Sequence, residues 1–184
     1  MPPSQHHIRN ENAILAPWSG GLPPLQLLER GIEGVRKNPA PTSIFTGGET
    51  MPIHEGDTAS RTQTITEEAV IGFAEIVNDH NPVHLDDDYA ATTPFGKRIA
   101  HGMLVASVIS AALANDLPGP GTIYLGQELS FKKPVFLGDT VTATLTCTSY
   151  RESRRIATIE TIVTNQDGVV VIEGKATVML PAVD

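Results

Sequence analysis

The sequence predicts an α+β fold in which an antiparallel sheet wraps around one buried helix. Residues 101–113 are nearly uncharged and rich in alanine, serine, valine and isoleucine, and a helix that is apolar on most faces must be buried. From residue 123 onward, apolar and polar residues alternate, which is typical of strands. The segment Asn165-Gln166-Asp167-Gly168 indicates a hairpin, so we expect neighbouring strands to be antiparallel.

The first 50 residues differ from the rest of the chain and are predicted to form an extension. They contain seven of the 14 prolines. Apolar residues recur at helical spacing over residues 25–32, after a pair of prolines, which predicts one short helix. We therefore divide the chain into a Pro/Gly-rich extension, residues 1–50, and one main domain, residues 51–184.

The main domain is expected to begin with a strand and a helix. Residues 57–64 are predicted to form a polar strand, and Thr66 followed by two glutamates is typical of a helix start. The helix is predicted to run toward Asn78 with an apolar stripe that includes Phe73. Its end leaves Asp79 where the chain turns.

Residues 85–91 are predicted to form a short acidic helix. Its three aspartates lack the glycine and the distal glutamate of a calcium-binding loop, so we interpret them as charges at a helix amino terminus. The buried helix is expected to end in the proline- and glycine-rich residues 115–121. Strands are then predicted within residues 123–131, 141–147, 157–163 and 169–179.

Composition excludes several classes of function. With 21 acidic and 13 basic residues, the net charge of −8 argues against sequence-independent binding of nucleic acid or of an anionic membrane. No apolar run approaches the roughly 20 residues that span a bilayer, and a continuous signal-peptide core is missing, so we expect a cytoplasmic protein. The single cysteine, Cys147, cannot form an internal disulfide. The pair His6-His7 has no further ligands at metal spacing, so no metal site is predicted.

The segment Asp79-His80-Asn81-Pro82-Val83-His84 is the most informative part of the sequence. Pro82 fixes its own φ and biases Asn81 toward extended geometry, so Asp79 and His84 lie on opposite limbs of a bend and can converge on one small volume. A carboxylate that takes a proton from water, beside an imidazole that gives or holds one, would catalyse addition or elimination of water. A capping turn, in which Asp79 ends one helix and His84 begins another, explains the same residues.

On the basis of these residues, the chain resembles the MaoC-like, R-specific enoyl-CoA hydratases over roughly residues 50–182. Members of this family have the hot-dog fold. Val77 and Asn78 replace the small residue and the glycine that usually precede the aspartate, but asparagine tolerates left-handed geometry, so the bend can survive. The places of the family pattern are filled here by Phe73, Asp79, Asn81-Pro82-Val83, His84 and Ala90, and downstream by His101-Gly102-Met103.

The resemblance implies an enzyme that adds water to trans-2-enoyl thioesters to give 3R-hydroxyacyl products, and that dehydrates them in reverse. It implies that Asp79 is the general base and that His84 assists as the acid. The backbone N–H of Gly102, at a helix amino terminus, would stabilise charge on the thioester carbonyl, although close packing also explains a glycine there. Asn81 is counted among the substrate-binding residues because it is expected to orient the turn. His101 is interpreted as a cap or a packed imidazole.

The substrate would carry coenzyme A or phosphopantetheine, and no separate cofactor is implied. Because the chain is acidic overall, the phosphates need local positive charge. The candidates are Lys97, Arg98 and the pair Lys132-Lys133. An apolar tunnel for the acyl chain is expected between the first helix and the buried helix, lined by residues from the set Phe73, Ile76, Phe95, Met103 and Leu104.

Hot-dog proteins complete their sheets and sites by pairing two copies, so the resemblance implies at least a homodimer. The fold itself does not specify chemistry. An acyl-CoA thioesterase and a non-catalytic subunit that binds acyl carriers stay open as alternatives. Their products separate them, because a hydratase forms a hydroxyacyl thioester, a thioesterase releases a thiol and a silent subunit does neither.

Overall fold

The computed structural model of the protein describes residues 53–182. The predicted helix at residues 25–32 and the predicted boundary between residues 50 and 51 lie outside this range and stay predictions. Among the described residues, no helix is both long enough and apolar enough to cross a bilayer.

Five antiparallel strands form one sheet, as the alternating pattern predicted. In chain order they are β1 (Thr58–Thr64), β2 (Ile123–Phe131), β3 (Thr140–Arg151), β4 (Ile156–Asn165) and β5 (Val170–Met179). Their order across the sheet is β1-β3-β4-β5-β2, so β1 and β2 are its edges. The predicted hairpin joins β4 to β5, and Gly168 has the positive φ, 74°, that glycine adopts without strain.

Four helices lie between β1 and β2 in the chain. The first begins where the sequence predicted, because the side chain of Thr66 accepts a hydrogen bond from the N–H of Ala69. Together with the sheet, these helices confirm the predicted α+β class. They are α1 (Glu67–Val77), α2 (Pro82–Leu85), α3 (Asp87–Ala91) and α4 (Gly102–Asn115).

The acidic helix predicted at residues 85–91 is α3, and a separate short helix, α2, precedes it. Helix α2 begins inside the Asn-Pro segment because Asn81 caps it and Pro82 occupies its first turn. Asp86 then ends α2 and caps α3 by accepting a hydrogen bond from the N–H of Tyr89. The three aspartates therefore serve as a cap and as first-turn charges, as interpreted from the sequence.

The helix α4 is the buried helix that the sequence predicted. Six of its residues are buried, and they share one apolar core with the inner face of the sheet. Along β3, every second residue from Val141 to Cys147 is buried in that core. Burial of one large aliphatic side chain contributes roughly 1.5–3 kcal/mol. The position of α4 against the sheet is therefore fixed, and so is the position of its first residue, Gly102.

Polar contacts fix both ends of α4. At its carboxyl end, the guanidinium of Arg61 in β1 donates hydrogen bonds of 2.7 and 2.9 Å to the carboxylate of Asp116. Before its amino end, the N–H of Ala100 donates to the carbonyl of Val135 at 2.8 Å. The segment that leads into α4 is thus tied to the connection between β2 and β3.

Substitution of Gly174 tests how closely β2 approaches β5. A Cβ atom at Gly174 would lie 2.0 Å from the backbone oxygen of Glu128. We expect Gly174→Ala to lower the free energy of unfolding by roughly 1–3 kcal/mol, because the strands must separate to admit the methyl group. Urea denaturation measures this change.

Gly72→Ala is the matched control. A Cβ atom at Gly72, which lies inside α1, would meet no atom within 4 Å. Alanine there should raise the free energy of unfolding by roughly 0.5–1 kcal/mol because it favours the helix. Equal urea midpoints for the two variants would contradict the close approach at Gly174.

Candidate active site

The end of α1 places Asp79. Asn78 takes the left-handed conformation, with φ 56°, and the N–H groups of Asn78 and Asp79 both donate to the carbonyl of Ala74. Asparagine adopts this conformation more readily than most residues. The bend therefore survives the replacement of the usual glycine, as predicted, and leaves Asp79 exposed at the end of the helix.

Local hydrogen bonds shape the turn that follows. The N–H of Asn81 donates to Oδ1 of Asp79, and the N–H of Val83 donates to Oδ1 of Asn81, both at 3.3 Å. The side chain of Asn81 thus caps α2 and is engaged in the turn itself. Asn81 does not line either of the two cavities described below. It shapes the site from outside these cavities.

His84 is buried in α2, with 9% of its surface exposed. Its Nδ1 lies 2.8 Å from the carbonyl oxygen of Ile99, and because a carbonyl only accepts, Nδ1 carries the proton. Burial lowers the pKa of His84 below its ordinary value of 6.5; the ring of His101 lowers it too, while the Ile99 bond and the charge of Asp79 oppose the shift. The resting imidazole is therefore neutral, with its lone pair on Nε2.

The neutral ring bears on the role expected for His84. At Nε2 it accepts a hydrogen bond, and it has no proton to deliver there until it first takes one up. His84 can therefore act as the acid only after Nε2 has taken up a proton, and that role stays a prediction. The bond from Nδ1 to Ile99 imposes this order, and the local sequence does not reveal it.

His101 contacts both residues of the pair. It is 2% exposed, and its Nε2 donates to the backbone carbonyl of Asp79 at 3.0 Å. Its ring lies against His84, with centroids 3.9 Å apart and planes inclined by 33°. It makes no side-chain capping bond to α4, so of the two interpretations offered from the sequence, the packed imidazole is the observed one. In the sequence, the position of His101 directly before Gly102 is the signal that could have placed it at the candidate site.

The structure brings the carboxylate and the imidazole of the motif together. Asp79, His84 and His101 each offer one atom that can ligate a metal, and these three atoms lie within 4.8 Å of one another, a spacing that could also hold a metal ion. One nitrogen of each histidine already donates to a backbone carbonyl. The carboxylate of Asp79 and Nε2 of His84 suffice for acid-base chemistry, and the expectation that no metal is needed stays a prediction.

The larger of two cavities lies beside this pair and measures about 620 Å³. Phe73 from α1 and Gly102 from α4 help to line it. As the first residue of α4, Gly102 has an N–H without a partner inside the helix, and the helix dipole favours negative charge there. A Cβ atom at Gly102 would also lie 2.8 Å from the ring of Phe131, so both interpretations of this glycine fit its position.

The residues proposed for an acyl tunnel are divided among different places. Phe73 and Met103 line the larger cavity. Phe95 lines the smaller one, which measures about 310 Å³. Ile76 is 84% exposed on α1 and Leu104 packs against the core, and neither lines either of these two cavities. The space expected between α1 and α4 therefore exists, with fewer of the expected residues around it.

His84, Gly102 and Phe131 line both cavities, so the two meet at the candidate catalytic residues. Phe131 was not among the site residues predicted from the sequence. In the sequence it is the last residue of an alternating strand, and nothing in that pattern shows that its ring lies against Gly102.

The lysines that follow β2 lie at the smaller cavity. Lys132 and Lys133 both line it, and Lys132 also pairs with Glu173. Lys97 lies elsewhere, with its Nζ 4.1 Å from the centre of the Phe136 ring. Of the basic residues proposed from the sequence, only this lysine pair borders the candidate site.

Arg98 does not fit the phosphate-binding role proposed for it. Its guanidinium donates to Glu67 at 2.7 Å and to Asp87 at 2.8 Å. The bond to Glu67 is the main cause that raises the pKa of Arg98. Arg98 therefore links the first turns of α1 and α3, and it lines neither cavity.

Comparison with known proteins places these features in a family. The family model for the MaoC like domain matches residues 49–169. An (R)-specific enoyl-CoA hydratase from Rhodospirillum rubrum is 53% identical over 130 residues, which cover 71% of this chain and 90% of the relative. A 3-hydroxybutyryl-CoA dehydratase from Methylorubrum extorquens is 44% identical over 117 residues, 64% of this chain and 74% of the relative.

A solved structure is similar throughout the main domain. The (R)-hydratase from A. caviae superposes with a TM-score of 0.68 and 46% sequence identity, and the match covers 70% of this chain and 98% of that one. This likeness confirms the hot-dog architecture expected from the sequence.

The protonation of His84 can be measured directly. Because burial lowers its pKa, we expect the ring to stay neutral, with the proton on Nδ1, down to a pH below 6.5. Two-dimensional NMR of the imidazole nitrogens as a function of pH reads out both properties, and His84→Gln assigns the signal. A midpoint above pH 6.5, or a proton on Nε2 at neutral pH, would show that the described environment of His84 is wrong.

Proposed function

Because the chain belongs to the MaoC-like domain family, we propose that it is an (R)-specific enoyl-CoA hydratase, which adds water to trans-2-enoyl thioesters and in reverse dehydrates 3-hydroxyacyl thioesters. It is a hydro-lyase, as its relatives are. The observation that carries the proposal is the meeting of the Asp79 carboxylate with the neutral ring of His84 at a cavity that the amino terminus of α4 also borders.

The resting state of the pair suggests how the protons move. A water molecule between the two groups donates one hydrogen bond to Asp79 and the other to Nε2 of His84. As the water oxygen bonds to the β-carbon, the carboxylate of Asp79 takes one proton and then passes it to the α-carbon. The second proton stays on the new hydroxyl group, held by His84. One water is consumed, and no proton is left on the enzyme.

The thioester carbonyl gains negative charge when the carbon–oxygen bond forms. The N–H of Gly102, at the first position of α4, supplies a hydrogen-bond donor and the positive end of a helix dipole for it. Because α4 is buried along six residues, this donor is held in place before the substrate arrives. Removal of one such donor typically costs roughly 100-fold or more in turnover.

The two cavities divide the substrate between them. We propose that the acyl chain lies in the larger, apolar cavity beside Phe73 and Met103. The coenzyme A or phosphopantetheine arm then leaves by the smaller cavity, where Lys132 and Lys133 provide positive charge in an otherwise acidic protein. The pair of Asp79 and His84 needs no additional cofactor for this chemistry, and a cytoplasmic location fits the acyl-CoA substrates of the relatives.

The exposed apolar surface supports a homodimer. The edge strand β2 has Ile123, Leu125 and Phe131 each at least half exposed. Single exposed apolar residues are ordinary, but several on a strand with one edge unpaired among residues 53–182 favour contact with another chain. Ile76 on α1 is also 84% exposed. A second copy packed on these surfaces would cover them and would narrow the access of water to Asp79.

We expect one hydration assay to test the function. Purified protein with crotonyl-coenzyme A should lower the ultraviolet absorbance of the conjugated enoyl thioester, without thiol release. Asp79→Asn should lower turnover by roughly 100-fold or more because it removes the base while keeping the shape of the side chain. Asp88→Asn, an equally conservative change at an exposed aspartate of α3, should keep full activity.

Each alternative gives a different result in that assay. Thiol release would indicate a thioesterase. Absence of product with crotonyl-, hexenoyl- and octenoyl-coenzyme A, and with the same acyl groups on a carrier protein, would indicate a non-catalytic subunit. Loss of activity after EDTA treatment, restored by a divalent cation, would overturn the prediction that the centre needs no metal.

The homodimer is tested by mass in solution. Sedimentation velocity should give twice the 19.7 kDa of one chain. Leu125→Glu places a charge on the apolar edge of β2 and should shift the protein toward one chain, because a buried unpaired charge is costly. Gln63→Glu adds the same charge to the opposite edge strand, β1, and should leave the mass unchanged. A single-chain mass for the unaltered protein would contradict the dimer.

A further inference from the structure

We propose that His101 is a positioning residue for the hydration reaction: its ring holds the backbone of Asp79 and the ring of His84 in place at the amino terminus of α4. This inference rests on the proposed function, because it concerns the same pair of groups. His101 is the residue immediately before Gly102, so a single side chain joins the three candidate catalytic residues.

The first contact fixes the backbone of Asp79, which carries the carboxylate. Nε2 of His101 donates to the carbonyl oxygen of Asp79 at 3.0 Å. Asp79 follows a left-handed residue at the open end of α1, where its side chain is exposed. Its local anchors, the N–H bond to Ala74 and the bond from Asn81, come from the same stretch of chain. The bond from His101 ties this turn to the buried helix α4.

The second contact fixes the imidazole. The rings of His101 and His84 lie 3.9 Å apart, centroid to centroid, and Phe73 lies on His101 at 5.2 Å. His84 already has its Nδ1 held by Ile99. Contact with a second planar ring then restricts the remaining tilt of His84, so Nε2 keeps one direction relative to Asp79.

The third observation concerns the other nitrogen of His101. Within residues 53–182, its Nδ1 is buried and has no hydrogen-bond partner. The titratable groups in contact with this ring are Asp79, through its backbone, and His84. Because a carbonyl oxygen only accepts, the bond to Asp79 requires a proton on Nε2 of His101. The orientation of the ring is therefore set by the bond at Nε2, with no competing bond at Nδ1 from residues of this range.

Two nearly matched variants test the role. Glutamine places its side-chain N–H₂ near the position of Nε2, whereas asparagine is one methylene shorter and places the same group near Nδ1. We expect His101→Asn to lower kcat by about 10-fold or more, because displacement of a reacting group by about 1 Å has effects of that size. His101→Gln should recover most of the lost kcat. His101 also borders the larger cavity, so a slight shift in KM is expected, but kcat should change more than KM because the bond is to the enzyme's own backbone.

A purely structural role predicts a different pattern. It predicts that both variants lose stability in urea to a similar degree and keep similar kcat values in their folded state. Equal kcat values for the folded Asn and Gln variants would therefore overturn the proposal. His101→Phe, which keeps the ring but lacks the donor, should behave like the asparagine variant, and full activity in this variant would also overturn it.

One measurement does not depend on how the variants fold. Two-dimensional NMR of the imidazole nitrogens in the unaltered protein should show a proton on Nε2 of His101, as its bond to the carbonyl of Asp79 requires. A ring that carries its proton on Nδ1 alone would refute the positioning role. Failure of the unaltered protein to hydrate any enoyl thioester would instead refute the proposed function, so the two can be told apart.

Discussion

The structure depends on the burial of α4 against the inner face of the sheet. A helix with six buried residues and few polar ones has only one place in this fold, against the inner face of β3 and its neighbours. Its amino terminus then falls at a fixed point beside the turn after α1. The segment before it, tied to Val135, brings Ile99 and His101 to the same point. The candidate site is thus assembled around the end of one buried helix.

Backbone carbonyls decide which ring nitrogen of each histidine carries a proton. The carbonyl of Ile99 holds the proton of His84 on Nδ1, and the carbonyl of Asp79 holds the proton of His101 on Nε2. Burial of His84 lowers its pKa and makes the charged form unfavourable. A neutral acceptor beside a carboxylate is suited to hold water. The hot-dog fold alone does not specify this arrangement, since the fold also serves thioesterases.

Much of the fold could be predicted from the sequence because it follows from local patterns. The strands followed from alternation, α4 from its lack of charge, and the start of α1 from Thr66. The short helix α2 was missed, because Asn81 and Pro82 were interpreted as a bend and not also as a helix start. The candidate pair of Asp79 and His84 was found because both residues lie on one short segment, whose geometry proline restricts.

By itself, the sequence determined the fold class, the family and the pair of groups that meet at the turn, since each is recorded in neighbouring residues. Only the tertiary structure decided which side chains surround that pair. Arg98 is bound by two carboxylates from separate helices, and Phe131, at the end of β2, lies against Gly102 at the start of α4. His101 reaches a carbonyl 22 positions earlier in the chain. Such contacts depend on how buried elements pack in three dimensions, and no spacing along the chain encodes them directly.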